Sequence, residues 1–389
     1  MRRTHYAGRD FRRSVNVEDV RRLARRALPN FSFEYVEGGA EDEVSLRRNR
    51  DVFERITWLP RTLAGVGTPD LSTVILGNAC QLPLVIAPTG FNGLLWPQGD
   101  LALARAASEA GVPFTLSTVS NYRLENLLAD SPGPTWFQLY PVRDAKVCDG
   151  LVDRAQAAGC RTLVVTTDVP TFGAREWDFR NYRAPMQLDL RNKLDVLAHP
   201  GWLRRVMLPK GAPRFENLTE FLPPGSQSAL VGARYMGTQI NSKLDWADME
   251  RMRARWKGKL VLKGILCVED ARRAAEIGAD GIVLSNHGGR QLDSCVSGVE
   301  IVPAVAAEVG QRMTVLVDGG FRRGGDVLKA IALGAHGVMI GRAPLYGLAA
   351  GGQAGVAHVL QLLRAEMERA LALVGCRALG ELGRHLIRS

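Results

Sequence analysis

The 389-residue sequence predicts an α/β chain folded as a (β/α)8 barrel of the TIM type, with an N-terminal helical segment and a long insertion after strand four. Three observations carry this reading. Eight short runs rich in apolar and β-branched residues recur along the chain. Amphipathic patterns of helical period fall between them, several closed by a glycine. Each run also ends in polar or glycine residues. Repeated β-then-α units favour a closed parallel barrel. An open doubly wound sheet is the alternative that the same alternation allows.

Residues 1–60 read as helical and contain LPNFSFEYVEGGAEDE, expected as a helix–turn–helix cap under the barrel. The strand runs are LPLVIAPTG (82–90), VPFTLST (112–118), TWFQLYP (135–141), TLVVTTDVP (162–170), KLVLKGI (259–265), GIVLSNHGG (281–289), TVLVDGG (314–320) and GVMIGRA (337–343). Segments such as GDLALARAASEAG and VEDARRAAEIG supply the helices between them. The barrel is therefore expected over 82–374, within a single domain spanning 1–389. Residues 171–245 form an insertion far longer than an ordinary crossover, and long loops of that kind are usually functional or mobile.

The chain is 46% hydrophobic and 23% charged, so disorder does not dominate. No apolar stretch reaches the roughly 18 residues needed to span a bilayer. The first residues are basic but lack an apolar core, so they do not read as a secretory signal. The six cysteines, Cys80, Cys148, Cys160, Cys267, Cys295 and Cys376, are scattered and form no C-x-x-C pair. They read as reduced thiols of an intracellular protein, and no metal site is expected. The net charge is +10, and residues 1–26 alone hold nine Arg and three acids. That arm is either a solvated basic face or a surface attracted to anionic lipid. No nucleic-acid motif accompanies it, so nucleic acid is not an expected partner.

In a parallel barrel the C-terminal strand ends converge on one face, where barrel active sites lie. Those ends carry Pro88-Thr89-Gly90, Ser117, Gln138 with Tyr140, Thr166 with Asp168, Lys263, Ser285-Asn286-His287-Gly288-Gly289-Arg290, Asp318-Gly319-Gly320 and Gly341-Arg342. The glycines after strands seven and eight, with Arg322 and Arg342, read as a phosphate cradle; tight turns with solvated arginines are the plainer reading. His287 lies between glycine and polar neighbours, three residues before Arg290. An arginine suits a substrate carboxylate, and oxidation beside that carboxylate needs a base. Asp168 is placed to orient the imidazole. Lys263 faces the same space, with a surface lysine at a loop start as the alternative.

With SNHGGRQLD at 285–293, the sequence resembles the FMN-dependent 2-hydroxy acid oxidase and dehydrogenase family. IAPTG, LSTVS, WFQLY, TTDVP, LKGIL, DGGFRRG and IGRAPLYGLA appear in family order, and the resemblance spans roughly residues 14–385. It implies FMN as cofactor and a small L-2-hydroxy acid oxidised to the 2-keto acid. It also implies roles. His287 is the base, Asp168 its partner, and Arg175 and Arg290 hold the carboxylate. Tyr35 and Tyr140 contact the substrate, Tyr140 counting also among the catalytic groups. Pro88, Thr89 and Gly90 line the isoalloxazine face. Ser117, Gln138, Thr166 and Lys263 bond the ring edge, where Lys263 would stabilise negative charge; Ser285 is grouped with the cofactor residues. Asp318, Gly320 and Arg322 meet the ribityl and phosphate region, and Gly341 and Arg342 close the phosphate site.

Residues 90–121 look closer to the L-mandelate and L-lactate dehydrogenases than to the oxidases. Gly90 stands where soluble oxidases usually have Ala, and Val119 where glycolate oxidase has Trp. The smaller side chain leaves room for an aryl group, so mandelate-like substrates are expected first and lactate second. Residues 185–215, net +4 with Trp202, Leu203, Val206, Met207 and Leu208 clustered, resemble the segment that attaches those dehydrogenases to membranes. A mobile loop near the active site is the alternative. The membrane reading implies a peripheral enzyme on the cytoplasmic side of the inner membrane, passing electrons to a quinone. The other reading is a soluble oxidase that reduces O2 to H2O2. A homo-tetramer is expected by family analogy alone. Two other classes stand beside these: a flavin-free phosphate-binding barrel isomerase or lyase, and a catalytically silent flavin-binding scaffold.

Overall fold

A computed structural model describes residues 5–184, 187–209, 211–222 and 229–388. Its centre is a closed parallel barrel of β1 (Leu84–Thr89), β2 (Phe114–Ser117), β3 (Thr135–Leu139), β4 (Thr162–Thr166), β5 (Lys259–Ile265), β6 (Gly281–Leu284), β7 (Thr314–Val317) and β8 (Gly337–Ile340). β8 pairs with β1, and β4 pairs with β5 across the insertion. The ring closes completely, which decides against an open sheet. All but β5 are shorter than their apolar runs suggest. The polar and glycine tips leave the ladder as loops because several sit at positive φ: His287 at +58°, Gly288 at +64°, Gly319 at +102° and Gly320 at +78°.

The barrel interior is filled by Val85, Ala87, Trp136, Val164, Val261, Val283, Leu316 and Met339, which pack with Ile75, Leu76 and Cys80. Those last three belong to an antiparallel hairpin, Thr73–Ile75 with Asn78–Cys80. The hairpin plugs the N-terminal end of the barrel: Leu76 abuts Gly281 at the start of β6, and Ile75 abuts Gly337 at the start of β8. This corrects the placement expected for the N-terminal segment. Its helices α1 (Val17–Ala27), α2 (Asn30–Glu37) and α3 (Val44–Arg55) are present. The turn after α2 lies at the opposite, C-terminal end, where Ala40 N donates to Gly289 O at 2.8 Å. The barrel floor is already sealed by the hairpin, so the segment's buried face is used at the mouth.

The insertion is largely helical in its described part, with Glu176–Arg180, Leu190–Leu197, Pro200–Trp202, a π-helical turn at Leu203–Met207, and Ala229–Gln239. Of the stretch 185–215, residues 185, 186 and 210 lie outside the described residues, as do 223–228 of the wider insertion. Trp202 and Val206 turn inward and are buried, Trp202 Nε1 donating to Leu94 O at 2.7 Å. They are not available as lipid-facing groups. The exposed apolar residues are instead Leu208 and the Leu190, Leu194, Leu197 ridge, spaced to share one helix face. Among the described residues no helix is long and apolar enough to cross a membrane. All six cysteines are free.

Candidate active site

A cavity opens at the C-terminal strand ends and gathers most of the residues singled out in the sequence. Pro88, Thr89 and Gly90 come from the end of β1, Tyr140 follows β3, and Lys263 lies on β5. His287 and Arg290 follow β6; Asp318, Gly320 and Arg322 follow β7; Gly341 and Arg342 follow β8. Tyr35 reaches in from α2 and Arg175 from the start of the insertion. Ser117, Gln138, Thr166, Asp168 and Ser285 are not in its wall. They form the layer behind it. Ser117 Oγ donates to Gln138 Oε1 at 2.8 Å, and Gln138 Nε2 to Thr166 Oγ1 at 2.9 Å, all three buried.

His287 Nδ1 meets both Asp168 carboxylate oxygens, at 3.0 and 3.2 Å, which leaves Nε2 toward the Tyr140 hydroxyl at 3.3 Å. His287 has a left-handed backbone conformation, held by its backbone N–H donating to Ser285 Oγ at 3.0 Å. A non-glycine residue there is uncommon and marks a constrained site. Gly264 makes the pair possible from the other side, since a Cβ at that position would stand 2.6 Å from the Asp168 Cβ. Burial holds the imidazole pKa below its ordinary value; Asp168 opposes this, while Lys263 and Arg175 add to it. Burial works to raise the Asp168 carboxyl, but His287 and Lys263 outweigh it and keep it below the usual range. The pair is therefore a neutral imidazole on an ionised carboxylate, the state a general base requires.

Arg175 and Arg290 lie together without an ion pair among the described residues. Burial, then the neighbouring Arg290 charge, brings Arg175 down to about 10. Arg290 donates to Gly38 O at 2.8 Å and lies over the Tyr35 ring. Two adjacent guanidiniums repel unless an anion joins them, so this corner suits an anion. Burial pushes the Tyr140 hydroxyl up to about 12, so it is a donor at neutral pH.

Lys263 is buried, not a surface lysine. Its Nζ meets Asp318 Oδ2 at 2.9 Å and Ser285 Oγ at 2.8 Å. Burial works against the ammonium, but Asp318 and Asp168 outweigh it and raise its pKa. The other Asp318 oxygen, Oδ1, is buried with no hydrogen-bond partner. Orphaned buried acceptors are rare, and this one sits in the cavity wall where the hydroxyls of a ribityl chain would satisfy it. Gly319 and Gly320 bend the chain beside it so closely that a Cβ on Gly320 would stand 1.9 Å from Asn49 O. Gly341 caps the helix that starts at Arg342 and runs to a break at Gly351–Gly352, and the positive end of that helix suits a phosphate. Arg322 has no carboxylate partner among the described residues and donates to the Tyr346 hydroxyl at 3.1 Å. Arg342, by contrast, is committed to three carbonyl oxygens, of Val36, Gly288 and Gly38. In this arrangement it clamps α2 to the β6 loop.

The residues fit FMN. A model of the FMN-dependent dehydrogenases matches residues 24–389. The chain belongs to the FMN-dependent dehydrogenase family. The family assignment, the FMN cofactor and the barrel expected from the sequence all agree with this. Relatives include the (S)-mandelate dehydrogenase of Pseudomonas putida, 45% identical over 93% of this chain and 90% of the relative. The L-lactate dehydrogenase of Allorhizobium ampelinum is 42% identical over 94% of this chain and 96% of its own. Among solved structures, that of the monotopic membrane protein (S)-mandelate dehydrogenase superposes with a TM-score of 0.92 at 44% identity, covering 97% of this chain and 99% of that one. A mandelate oxidase with (S)-4-hydroxymandelic acid superposes at 0.80 and 40% identity, covering 94% and 96%.

The FMN-dependent dehydrogenase chain also uses residues that sequence reasoning missed. Phe172, Phe215, Ala233 and Met236 from the insertion join Val119, already expected at the pocket from the sequence, to give the cavity an apolar wall. Phe172 and Phe215 come from separate irregular segments, and Ala233 and Met236 sit three apart on the helix Ala229–Gln239 with a spacing any helix face shares, so no periodic signal marks them as pocket residues. Gln291 pins the strand-four loop, donating to Asp168 O at 3.1 Å and Thr171 O at 2.8 Å. Asn49 and Asn286 exchange side-chain hydrogen bonds at 2.8 and 3.0 Å, tying α3 to the His287 loop. The SNHGGRQLD motif contained Asn286 and Gln291, but nothing in it distinguished props from site groups.

Proposed function

We propose that this FMN-dependent dehydrogenase oxidises an (S)-2-hydroxy acid, mandelate-like before lactate-like, to the 2-keto acid. The observation that carries this is the unneutralised Arg175–Arg290 pair beside the His287–Asp168 dyad. Arg175 and Arg290 bind the carboxylate, and Tyr35 and Tyr140 orient the substrate. His287 Nε2 accepts a proton, its imidazolium stabilised through Nδ1 by Asp168. Bound FMN supplies the two-electron sink. Pro88, Thr89 and Gly90 would face its ring system. Ser117, Gln138, Thr166, Lys263 and Ser285 would support the ring edge, directly or from the layer behind. Asp318, Gly320, Arg322, Gly341 and Arg342 would serve the ribityl and phosphate end. The apolar wall of Phe172, Phe215, Ala233 and Met236 favours an aryl side chain. A flavin-free isomerase or a silent scaffold has no use for this dyad and arginine pair together.

The same reading makes the enzyme peripheral to the cytoplasmic face of the inner membrane, homo-tetrameric, with a quinone as acceptor. Support comes from the exposed leucine ridge and from the likeness to a monotopic membrane (S)-mandelate dehydrogenase. The test is anaerobic mixing of the FMN-loaded enzyme with (S)-mandelate, L-lactate and other 2-hydroxy acids. Bleaching of the flavin absorbance by at least one of them is expected, fastest with an aryl acid. No bleaching with any member of the panel overturns the proposal. Re-oxidation of the bleached enzyme by a quinone analogue faster than by O2 supports the dehydrogenase reading; the reverse supports the oxidase.

A further inference from the structure

A second cavity lies near the first: Phe215 lines the first, and its chain neighbours Arg214 and Glu216 line the second. Its lining comes from the loop after β1, the loop after β2 and the insertion, including Arg205, Arg123, Arg214, Asn121 and Glu216. Arg205 is its most unusual member. Its guanidinium lies over the Trp96 ring at 4.2 Å. Its Nε is buried without a hydrogen-bond partner. Arg123 is tied to Glu125 at 3.2 Å and Glu220 at 3.9 Å. Glu216 stands in the same wall and makes no ion pair with Arg205. Asn121 braces the wall, accepting from Gly93 N at 2.8 Å and donating to Arg214 O at 2.6 Å.

Arg205 lines the cavity while no described carboxylate pairs with its charge, so its outer N–H groups suit an anionic acceptor. The contact with the Trp96 ring holds the guanidinium in place. Planar donor forks of this kind match phosphate oxygens. Nothing in the reaction proposed above uses Arg205. We infer that this cavity binds a phosphate-bearing anion, either the headgroup of an anionic phospholipid or a soluble phosphate. Leu208, exposed and three residues beyond Arg205, together with the Leu190–Leu197 ridge, provides apolar surface on the same insertion for acyl chains.

The test is calorimetric titration of the FMN-loaded enzyme with dihexanoyl-phosphatidylglycerol below its micelle concentration, and separately with inorganic phosphate. Saturable one-site binding is expected, weakened about tenfold or more by Arg205→Gln. Arg204→Gln makes the same charge change on the exposed neighbour and is expected to bind like the parent. Phosphatidylglycerol binding without phosphate binding identifies the lipid source; comparable binding of phosphate identifies the soluble one. Arg205→Lys keeps the charge without the fork and is expected to fall between, which serves if Arg205→Gln does not fold. No binding of either probe by the parent, or equal weakening by the 204 and 205 changes, overturns the inference. The readout is binding alone, so a failure of hydroxy-acid turnover is separately visible.

Discussion

Arg175 Nε donates to the Arg290 carbonyl oxygen at 3.4 Å, which sets the two guanidiniums in one corner of the cavity. Asp178, the carboxylate that both arginines influence, forms no ion pair with either. The positive charge is thus left for a ligand. Charge-assisted hydrogen bonds contribute about 1.5–3 kcal/mol, so Arg290→Met is expected to lower kcat/KM by about 10- to 150-fold. Steady-state kinetics on the preferred hydroxy acid checks this. An unchanged kcat/KM would remove Arg290 from carboxylate binding.

His287→Gln keeps a polar side chain of similar reach but no base. General-base catalysis is worth about 10²–10⁴ in rate, and a loss of that size in kcat is expected. FMN content should stay at the parental level, since the cofactor end of the cavity is built by other loops. Flavin absorbance after gel filtration and single-turnover reduction read the two effects apart.

The pH profile follows from the same residue. The base must be neutral, so kcat/KM is expected to fall on the acid side. Because burial, Lys263 and Arg175 lower the His287 pKa, the midpoint should lie below that of an ordinary imidazole. Asp168 pulls the pKa up, so Asp168→Asn should move the midpoint further down while reducing the plateau. An acid limb that moves upward in Asp168→Asn contradicts the dyad.

Lys263 and Asp318 form a buried ion pair at 2.9 Å. Removing one partner strands the other charge, at a cost of about 3–5 kcal/mol. Lys263→Met is therefore expected to destabilise the FMN-free protein by that order in urea denaturation, more than a change at an exposed lysine such as Lys243. A loss under about 1 kcal/mol would show that the pair is not the buried structural element described above.

Ala233 and Met236 bring the insertion's apolar side into the cavity wall. Ala233→Leu fills space that an aryl ring needs and a methyl group does not. Small changes of apolar volume shift discrimination by about 10- to 200-fold, so kcat/KM for mandelate should fall at least about tenfold relative to lactate. Equal effects on both acids would move the aryl pocket elsewhere.

The eight apolar runs determined the barrel, because strand and helix periods are local properties of the chain. The strand ends were legible for a related reason. A parallel barrel sends all of them to one face, so listing their polar residues nearly lists the site. His287, Arg290, Lys263 and Asp318 were found in this way. Family likeness, not spacing, supplied Arg175 and Tyr35, which lie outside the strand ends. Tertiary structure alone decided the rest. The burial of Lys263, the orphaned oxygen of Asp318 and the commitment of Arg342 to three carbonyls depend on neighbours distant in sequence. The same holds for the inward turn of Trp202 and the seating of the N-terminal segment over the barrel mouth. Burial and pairing are properties of the packed molecule, and the order of residues along one segment does not encode which distant segment will cover it.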